Sequence, residues 1–342
     1  MTAYDQTRSA LQESPRTWLI TGVAGFIGSH LLETLLGLGQ RVIGLDNYST
    51  GFAHNLEDVR AQVGDEMWTR FSFVEGSVAD LAKCREAVRG VDAILHHAGF
   101  ISVPLSLEDP LGCHETNVTG TLNLLLAARG AGVHRFVYAS SSAVYGDDDR
   151  LPKIERQIGR PLSPYGASKL MDELYAGLFA DHFGLTCVGL RYFNVFGPRQ
   201  NPQGGYAAVI PQWIATLLRG ETCRVHGDGE QTRDFCHVAN VVQANILAAA
   251  SETVPAGGGI YNVALGQQTS LNKLHDLIAE ELVSLKPGFH APPPHHGPVR
   301  AGDILHSGAD IAQIARDLQF DPQVTVKHGL AETVAWYANA SR

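Results

Sequence analysis

The chain has 342 residues, of which 44% are hydrophobic and 18% are charged, and its formal net charge at pH 7 is −9. This composition excludes wholesale disorder, and the length allows one large domain or two ordinary ones. The acidic balance argues against nonspecific nucleic-acid binding, so we predict no nucleic-acid partner.

The five cysteines are scattered and contain no C-x-x-C pair. This spacing argues against a disulfide framework or a cysteine zinc site, and we predict no bound metal. Residues 1–15 carry acidic side chains and no apolar core, so they are unlike a signal peptide and are expected to form a flexible extension. No apolar run approaches the ~18 residues that span a bilayer. We therefore expect a soluble, cytoplasmic protein with no membrane partner.

Strands and helices alternate along residues 16–193. The first unit is an apolar strand, Thr17–Thr21, then a glycine cluster, a helix over Ile27–Leu38 and a second strand that ends at Asp46. Continuous apolar strands separated by helices are typical of a parallel sheet covered on both faces, and right-handed crossovers make it a doubly wound (Rossmann-type) α/β sheet. Further strands are predicted over 70–76, 93–99, 135–141 and 185–193, and helices over 80–89, 116–129 and 164–183.

The alternation loosens after Asn194, which predicts a smaller C-terminal α/β domain. We expect helices over 209–219 and 238–250, a strand–turn–strand within 223–238, a proline-rich stretch and a last helix near Thr333. A strand around Ile260–Val263 is expected to return to the main sheet. The predicted division is a nucleotide-binding domain over 16–193 with a returning segment at about 236–264, and a substrate domain over 194–235 and 265–342.

Three glycines follow the first strand at the spacing G-x-x-G-x-x-G, namely Gly22, Gly25 and Gly28. Glycine suits a turn with positive φ, and it lets a pyrophosphate approach the backbone and the free N–H groups of a helix N-terminus. The spacing alone is a weak signal in a chain with 36 glycines. Asp46 strengthens it, because a carboxylate at the end of the next strand accepts hydrogen bonds from a ribose and repels a 2′-phosphate. This pattern favours NAD over NADP.

Tyr165 and Lys169 form a Y-x-x-x-K pair on one face of the predicted helix that Ser163 caps. A lysine ammonium beside a phenol favours the phenolate, which can act as a general base. The alternative is an ordinary first-turn tyrosine beside an exposed lysine. The serines at 140–142 end the preceding strand, where doubly wound sheets place ligand groups, although strand-end serines often bond only to loop backbone.

These motifs resemble the extended short-chain dehydrogenase/reductase superfamily over nearly the whole chain after Arg16. Within it, the sequence is most similar to the UDP-hexose 4-epimerases, and specifically to the UDP-N-acetylglucosamine 4-epimerases of bacterial surface-polysaccharide synthesis. The segments that carry the resemblance are His97-Ala98-Gly99, Asn117, SSSAVYGD, PLSPYGASK, Arg191-Tyr192-Phe193-Asn194, AAVIPQW and GDGEQTRDFCHV.

The resemblance implies an NAD-dependent 4-epimerisation. Tyr165 would take the proton of the sugar 4-hydroxyl as C4 gives a hydride to NAD, Ser141 would share that hydroxyl, and Lys169 would hold the nicotinamide ribose. The 4-keto sugar would turn over and regain the hydride on its other face. The implied cofactor residues are Gly22, Gly25, Phe26, Ile27, Gly28, Asp46, Asn47, Ser77, Val78, Ala98, Gly99, Asn117, Tyr165, Lys169 and Tyr192.

The resemblance also implies the substrate site. Arg233 and Arg300 would neutralise the diphosphate, which forked guanidiniums do well, and Asp303 would orient Arg300 or meet a ribose hydroxyl. Ser307 stands where epimerases restricted to unacetylated sugars have a tyrosine, so its small side chain would leave space for a 2-N-acetyl group. The implied substrate residues are Ser102, Ser141, Ser142, Tyr165, Asn194, Arg233, Arg300, Asp303 and Ser307.

The sequence departs from the family pattern at two positions, and several other activities remain possible alternatives. Ser77 replaces an aspartate that meets adenine in many relatives, and Ile101 replaces a lysine of some epimerases. Other possible activities are epimerisation of UDP-N-acetyl-uronic acids or of UDP-glucose and UDP-galactose. A nucleotide-sugar dehydratase or decarboxylase is disfavoured because Ala143 stands where an acidic residue is expected. A non-catalytic NAD-binding regulator is a further alternative. The helices over 116–129 and 164–183 carry apolar residues on more than one face, and the resemblance implies that they form a homodimer through a four-helix bundle.

Overall fold

A seven-stranded, fully parallel sheet organises the structure, a computed structural model that describes residues 1–203, 208–299 and 305–340. The strands are β1 Thr17–Thr21, β2 Arg41–Asp46, β3 Phe71–Glu75, β4 Ala93–His96, β5 Arg135–Ser141, β6 Thr186–Tyr192, β7 Val195–Phe196, β8 Arg224–His226, β9 Thr232–Arg233, β10 Cys236–His237, β11 Gly258–Val263, β12 Thr269–Ser270 and β13 His295–Gly297. The sheet order is β11-β6-β5-β4-β1-β2-β3, which confirms the predicted doubly wound class.

The helices lie mainly between successive strands. They are α1 Ala3–Glu13, α2 Phe26–Gly37, α3 Ala53–Trp68, α4 Leu81–Ala87, α5 Val103–Glu108, α6 Pro110–His114, α7 Gly120–Ala131, α8 Pro164–Phe183, α9 Val209–Leu218, α10 Val238–Ala250, α11 Leu271–Leu285, α12 Ala312–Leu318 and α13 Val326–Ala340. A π-helical turn, Glu115–Thr119, joins α6 to α7. In the described part of the chain, none of these helices combines the length and apolar character that crossing a membrane requires.

Both faces of the sheet are buried, because successive strand residues point to opposite sides. On β1, Leu19 packs in one core with Leu124 of α7, whereas Ile20 packs in a second core with Leu35 of α2 and Val241 of α10. This two-sided burial explains why the strands read as continuous apolar runs rather than as alternating ones.

The first fifteen residues are not a flexible extension, so that prediction was wrong. They form α1, whose Thr2 and Asp5 make a reciprocal capping box. Leu11 is buried in the core, where α1 packs against α10, and the Leu11 carbonyl accepts a hydrogen bond from Gln40 Nε2 (2.8 Å). A capping box removes unpaired N–H groups and one buried leucine anchors the helix, so no long apolar run is needed.

The chain after Asn194 builds a third core and also returns to the main sheet. The expected return strand is β11, which pairs in parallel with β6. The predicted strand–turn–strand is present, with β8 before the turn and β9 and β10 after it. These strands do not pair with one another, because β8 pairs with β13, β9 with β12 and β10 with β7. Turns with positive φ at Gly227 and Gly229 redirect the chain between these short strands.

Candidate active site

The glycine loop packs tightly against the rest of the sheet edge. Gly22 has φ 69°, and a Cβ there would lie 2.7 Å from the Ala98 nitrogen. A Cβ on Gly28 would overlap the Gly22 carbonyl, so α2 can approach β1 only with glycine at this position. These two glycines are required by packing, whatever ligand the loop binds.

Gly25 differs from its two neighbours, because a Cβ there would meet one described atom within 4 Å, the Gly22 oxygen at 3.1 Å. It is the N-cap of α2, and no described side chain caps this helix. Phe26 and Ile27 form the first turn and are half-buried. A helix N-terminus without a side-chain cap, with a glycine at its N-cap, fits the pyrophosphate of a dinucleotide.

Asp46 ends β2 and is buried beside the glycine loop. Its Oδ2 accepts a hydrogen bond from the Ala24 nitrogen (2.9 Å), and its Oδ1 accepts one from the Tyr48 nitrogen (2.8 Å). Because a carboxylate oxygen has two lone pairs, each oxygen can still accept a ribose hydroxyl. Asn47 is exposed and its Oδ1 accepts a hydrogen bond from the Ser49 nitrogen (3.1 Å).

The other predicted cofactor residues lie at the carboxyl ends of β3 and β4. Ser77 Oγ accepts a hydrogen bond from the Ala79 nitrogen (3.1 Å), and the carbonyl of the buried Val78 accepts one from Asn123. The Ala98 nitrogen donates to Thr21 Oγ1 (3.1 Å). The Ser77 hydroxyl therefore already accepts a hydrogen bond within its own turn. Ser77 is the residue that, by the resemblance, stands in place of an aspartate.

Asn117 occupies the π-helical turn, which sequence patterns did not predict. It is buried, its Oδ1 accepts from the Phe100 nitrogen (2.7 Å), and its Nδ2 donates to Ser168 Oγ (2.8 Å). π-Turns are frequent at functional sites, because the extra residue re-aims side chains. Here the turn joins the loop after β4 to α8.

The hydroxyl of Tyr192, one of the predicted cofactor residues, is hydrogen-bonded inside the protein. Its hydroxyl is hydrogen-bonded to His97 Nε2 (2.9 Å) and accepts from Asn245 Nδ2 (2.8 Å). Burial raises the pKa of this phenol well above its usual value. The hydroxyl therefore already has two hydrogen-bond partners in the protein. A contact of Tyr192 with the cofactor would have to come from its ring or its backbone.

Tyr165 and Lys169 lie on the first two turns of α8, which begins at the predicted cap. Ser163 Oγ accepts from the Gly166 nitrogen (3.1 Å), and the Tyr165 nitrogen donates to Ser106 Oγ (3.1 Å). Tyr165 is half-buried and Lys169 is buried. A Cβ on Gly99 would lie 3.7 Å from Lys169 Nζ and 3.2 Å from Asn117 Oδ1. Lys169, Gly99 and Asn117 are thus brought together at the carboxyl edge of the sheet.

The three serines that end β5 separate into two kinds. Ser140 is buried and donates to Glu173 Oε1 (2.6 Å), which makes it structural. Ser141 and Ser142 are half-buried, and Ser141 Oγ accepts from the Ala143 nitrogen (3.1 Å). The Ala143 oxygen lies 2.8 Å from a Cβ built on Gly166, so this turn packs directly against the first turn of α8.

The substrate residues predicted after β6 are only partly described. Asn194 has φ 33°, and its Nδ2 donates to the Asp234 carbonyl (3.1 Å). Arg233 Nη1 donates to the Thr232 carbonyl (2.9 Å), and the Ser307 nitrogen donates to the same oxygen (3.0 Å). The structure therefore brings Arg233 and Ser307 to neighbouring segments. Arg300 and Asp303 lie outside the described residues.

Ser102 is the N-cap of α5, where its Oγ accepts from the Leu105 nitrogen (3.2 Å). A cavity of about 140 Å³ opens beside Asn194, between β7 and the start of α9. Its lining residues are Asn194, Val195, Phe196, Ala208, Val209, Ile210 and Phe235.

Sequence reasoning missed Asp234, a buried carboxyl that joins the segments around Leu265 and Ala309. Its Oδ1 accepts from the Leu265 nitrogen (2.9 Å), and its Oδ2 accepts from the Ala309 nitrogen (3.4 Å). Burial raises its pKa to about 6. The only sequence signal was its place between Arg233 and an apolar run. Asp172 was also missed, although it follows Lys169 at the i+3 spacing of a helical ion pair.

Comparison with known proteins places this site in a family. The NAD dependent epimerase/dehydratase family model matches residues 18–264. The UDP-glucose 4-epimerase of Mycolicibacterium smegmatis is 38% identical over 333 residues, 95% of this chain and 99% of that protein. The UDP-N-acetyl-alpha-D-glucosaminuronate decarboxylase of Bacillus cytotoxicus is 33% identical over 327 residues, 93% of this chain and 97% of that protein.

A solved structure agrees with these relatives. The UDP-N-acetylglucosamine 4-epimerase from Methanobrevibacter ruminantium M1, in complex with UDP-N-acetylmuramic acid, is similar with a TM-score of 0.86 and 35% identity, over 95% of this chain and 99% of that one. The fold and the glycine loop define an NAD-dependent enzyme on a doubly wound sheet. The chain belongs to the NAD-dependent epimerase/dehydratase family and, within it, to the UDP-glucose 4-epimerase group.

Proposed function

We propose that this chain interconverts UDP-N-acetylglucosamine and UDP-N-acetylgalactosamine by NAD-dependent 4-epimerisation. The observation that supports the proposal is the packing of the turn after Ser141 against the first turn of α8, where the Ala143 oxygen lies 2.8 Å from a Cβ built on Gly166. Tyr165 is in that turn of α8, and the resemblance implies an acid, not Ala143, in a dehydratase. Such an enzyme would supply precursors of surface polysaccharides, and we expect it to act in the cytoplasm.

The glycine loop, Asp46 and Lys169 would hold NAD, with Ala98, Gly99 and Asn117 lining the nicotinamide end. NAD, when bound, accepts a hydride from the sugar C4 and returns it. The uncapped α2 N-terminus supports this assignment, because its N–H groups suit a pyrophosphate.

The protein's own groups then handle the proton. Tyr165 as phenolate takes the proton of the 4-hydroxyl, and Ser141 hydrogen-bonds the same oxygen. After the 4-keto sugar has turned over and C4 has regained its hydride on the other face, Tyr165 returns the proton to the 4-oxygen. The product has the opposite configuration at C4. Lys169 favours the phenolate through its positive charge.

The remaining substrate residues would hold the UDP group and the sugar. Arg233 and Arg300 would neutralise the diphosphate, and Asp303 would orient Arg300. Asn194 would contact the diphosphate region, and the further sugar contacts would come from Ser102, Ser142 and Ser307.

The test is incubation of the NAD-loaded protein with a panel of UDP-sugars, followed by chromatographic separation of products. We expect turnover of UDP-N-acetylglucosamine to exceed that of UDP-glucose. Preferred turnover of a UDP-N-acetyl-uronic acid, release of carbon dioxide or loss of water would each replace the proposal by the corresponding alternative. A complete lack of turnover would support a non-catalytic NAD-binding role.

Ser307 is expected to control acceptance of the acetylated sugar. It is half-buried and shares the Thr232 carbonyl with Arg233. In Ser307→Tyr, the larger side chain should lower kcat/KM for UDP-N-acetylglucosamine at least about 10-fold and spare UDP-glucose, as a filled pocket discriminates by about 1–3 kcal/mol. The comparison of both substrates in Ser307→Tyr and Ser307→Ala tests this. Equal losses for both sugars would contradict it.

We also propose a homodimer formed through α7 and α8. The face of α8 that carries Met171, Leu174 and Leu178 at helical spacing is exposed, with Leu174 at 62% and Leu178 at 51%. Leu126 on α7 is exposed as well. Contiguous exposed apolar surface of this kind marks an interaction site. We expect sedimentation to give a dimer at micromolar concentration and Leu174→Glu to give a monomer, whereas a wild-type monomer would refute the proposal.

A further inference from the structure

Lys169 has a buried carboxylate partner that the reaction scheme does not use. Lys169 Nζ lies 3.3 Å from Asp172 Oδ2, and the two side chains are 6% and 1% exposed. Tyr165, Lys169 and Asp172 are spaced i, i+4 and i+7, so they follow one face of α8. The seven-residue separation places Asp172 about 10 Å along the helix from Tyr165.

The surroundings of Asp172 leave Lys169 as its main partner. Among the described residues, its Oδ1 has no hydrogen-bond partner. The Thr121 hydroxyl, which is bonded to His96 Nε2 (3.0 Å), is near enough to favour the ionised carboxylate without reaching hydrogen-bond geometry. A buried carboxylate with this few partners is costly to keep charged, so its ion pair with Lys169 decides its state.

The proton chemistry gives this pair a purpose. An epimerase needs Tyr165 to take a proton and to give it back within one turnover, so neither the phenol nor the phenolate can be favoured too strongly. A lysine ammonium and a cationic nicotinamide both favour the phenolate, and together they oppose the return of the proton. A carboxylate on the far side of the ammonium offsets part of that charge.

We propose that Asp172 is a positioning residue that holds the Lys169 ammonium and offsets its charge, so that Tyr165 keeps its proton to a higher pH than an unpaired lysine would allow. The inference rests on the proposed roles of Tyr165 and Lys169. It assigns to Asp172 no contact with substrate or cofactor.

The titration of Asp172 itself gives the pH range. Burial raises its pKa to about 6, while Lys169 acts in the opposite direction. The other titratable groups around Asp172 are Glu173 on α8, Cys113 on α6 and Tyr138 on β5, and those around its partner Lys169 include His96 and His97 at the end of β4. Because the carboxyl is ionised above about pH 6, its effect on Tyr165 is present there and is lost as the pH falls below that value.

The test measures the ionisation of Tyr165 directly. The near-ultraviolet phenolate absorbance of NAD-loaded protein is titrated, and the signal of Tyr165 is taken as the difference from the same chain with Tyr165→Phe. In Asp172→Asn the midpoint should fall by about one pH unit, because a buried negative charge on the same face of α8 is removed. The acid limb of the kcat/KM profile should move in the same direction.

Matched variants separate this role from a structural one. Asp181→Asn makes the same substitution at the exposed end of α8 and should leave the midpoint unchanged. Asp172→Glu keeps the negative charge, so its midpoint should be close to that of the wild type. An unchanged or raised midpoint in folded Asp172→Asn overturns the proposal. If Asp172→Asn does not fold, Asp172→Ser gives the same comparison. The titration needs no turnover, so failure to epimerise any UDP-sugar overturns the proposed function alone.

Discussion

The variant Tyr165→Phe is expected to lower kcat by about 10²–10⁴-fold, the usual contribution of a positioned general acid–base group. The ring still packs on α8, and the Tyr165 backbone nitrogen keeps its hydrogen bond to Ser106 Oγ. We therefore expect unchanged binding of NAD and of UDP-sugar. Measurement of kcat beside the dissociation constants of both ligands checks the prediction.

A second tyrosine on the same helix provides the control for this loss. Tyr175 packs against the core on the α7 side of the sheet, and it lies ten residues beyond Tyr165. Tyr175→Phe should keep kcat within a factor of about two, because it removes a hydroxyl away from the reacting edge. A large loss in both variants, or normal turnover in Tyr165→Phe, would contradict the role of Tyr165 as the base.

The variant Arg191→Ala is expected to have the largest effect on stability, a loss of about 3–5 kcal/mol in the free energy of unfolding. Arg191 is 2% exposed, and its Nε and Nη2 donate to the two oxygens of Glu173 at 2.8 Å each. Glu173 also accepts from Ser140 (2.6 Å). Removal of the guanidinium leaves a buried carboxylate without its charge partner. Urea unfolding followed by circular dichroism measures the change.

A double-mutant cycle shows whether the ion pair causes this loss. In the combined variant Arg191→Met with Glu173→Leu both charges are absent, so it should be more stable than Arg191→Met alone or Glu173→Leu alone. The exposed pair Arg219–Glu221, which is also close (2.7 Å), gives the matched comparison, and Arg219→Ala should not shift the unfolding midpoint measurably. Additive losses across the buried pair would show that packing, not charge, accounts for the effect.

The local signals in the sequence predicted the main sheet and the helix α8 well. As predicted, α8 begins after Ser163, with Pro164 at its first position, and ends at Phe183. These bounds depend on a cap, the fixed φ of proline and the left-handed Gly184, each of which acts within a few residues. The same local reasoning failed for α1. There a capping box without a long apolar face becomes a stable helix only when Leu11 is buried against the rest of the fold.

The candidate site divides in the same way. Gly22, Gly28 and Asp46 could be found from spacing, because a turn, a helix and a strand end follow one another along the chain. Spacing could not show that the Tyr192 hydroxyl is hydrogen-bonded to His97 and Asn245, or that the Ser140 hydroxyl donates to Glu173. These contacts join segments distant in sequence, and no local pattern records them.

By itself, the sequence determined the doubly wound class, the glycine loop and the Tyr165–Lys169 pair, since each depends on short-range periodicity and backbone geometry. The tertiary structure alone decided which polar groups remain available and which are paired inside the fold. It showed that Asp172 pairs with Lys169 and that the buried Asp234 accepts a hydrogen bond from Leu265. It also showed that Arg233 and Ser307 donate to the same carbonyl oxygen, that of Thr232. The physical reason is that burial and charge pairing depend on every element packed around a group, and these elements come together only when the chain is folded.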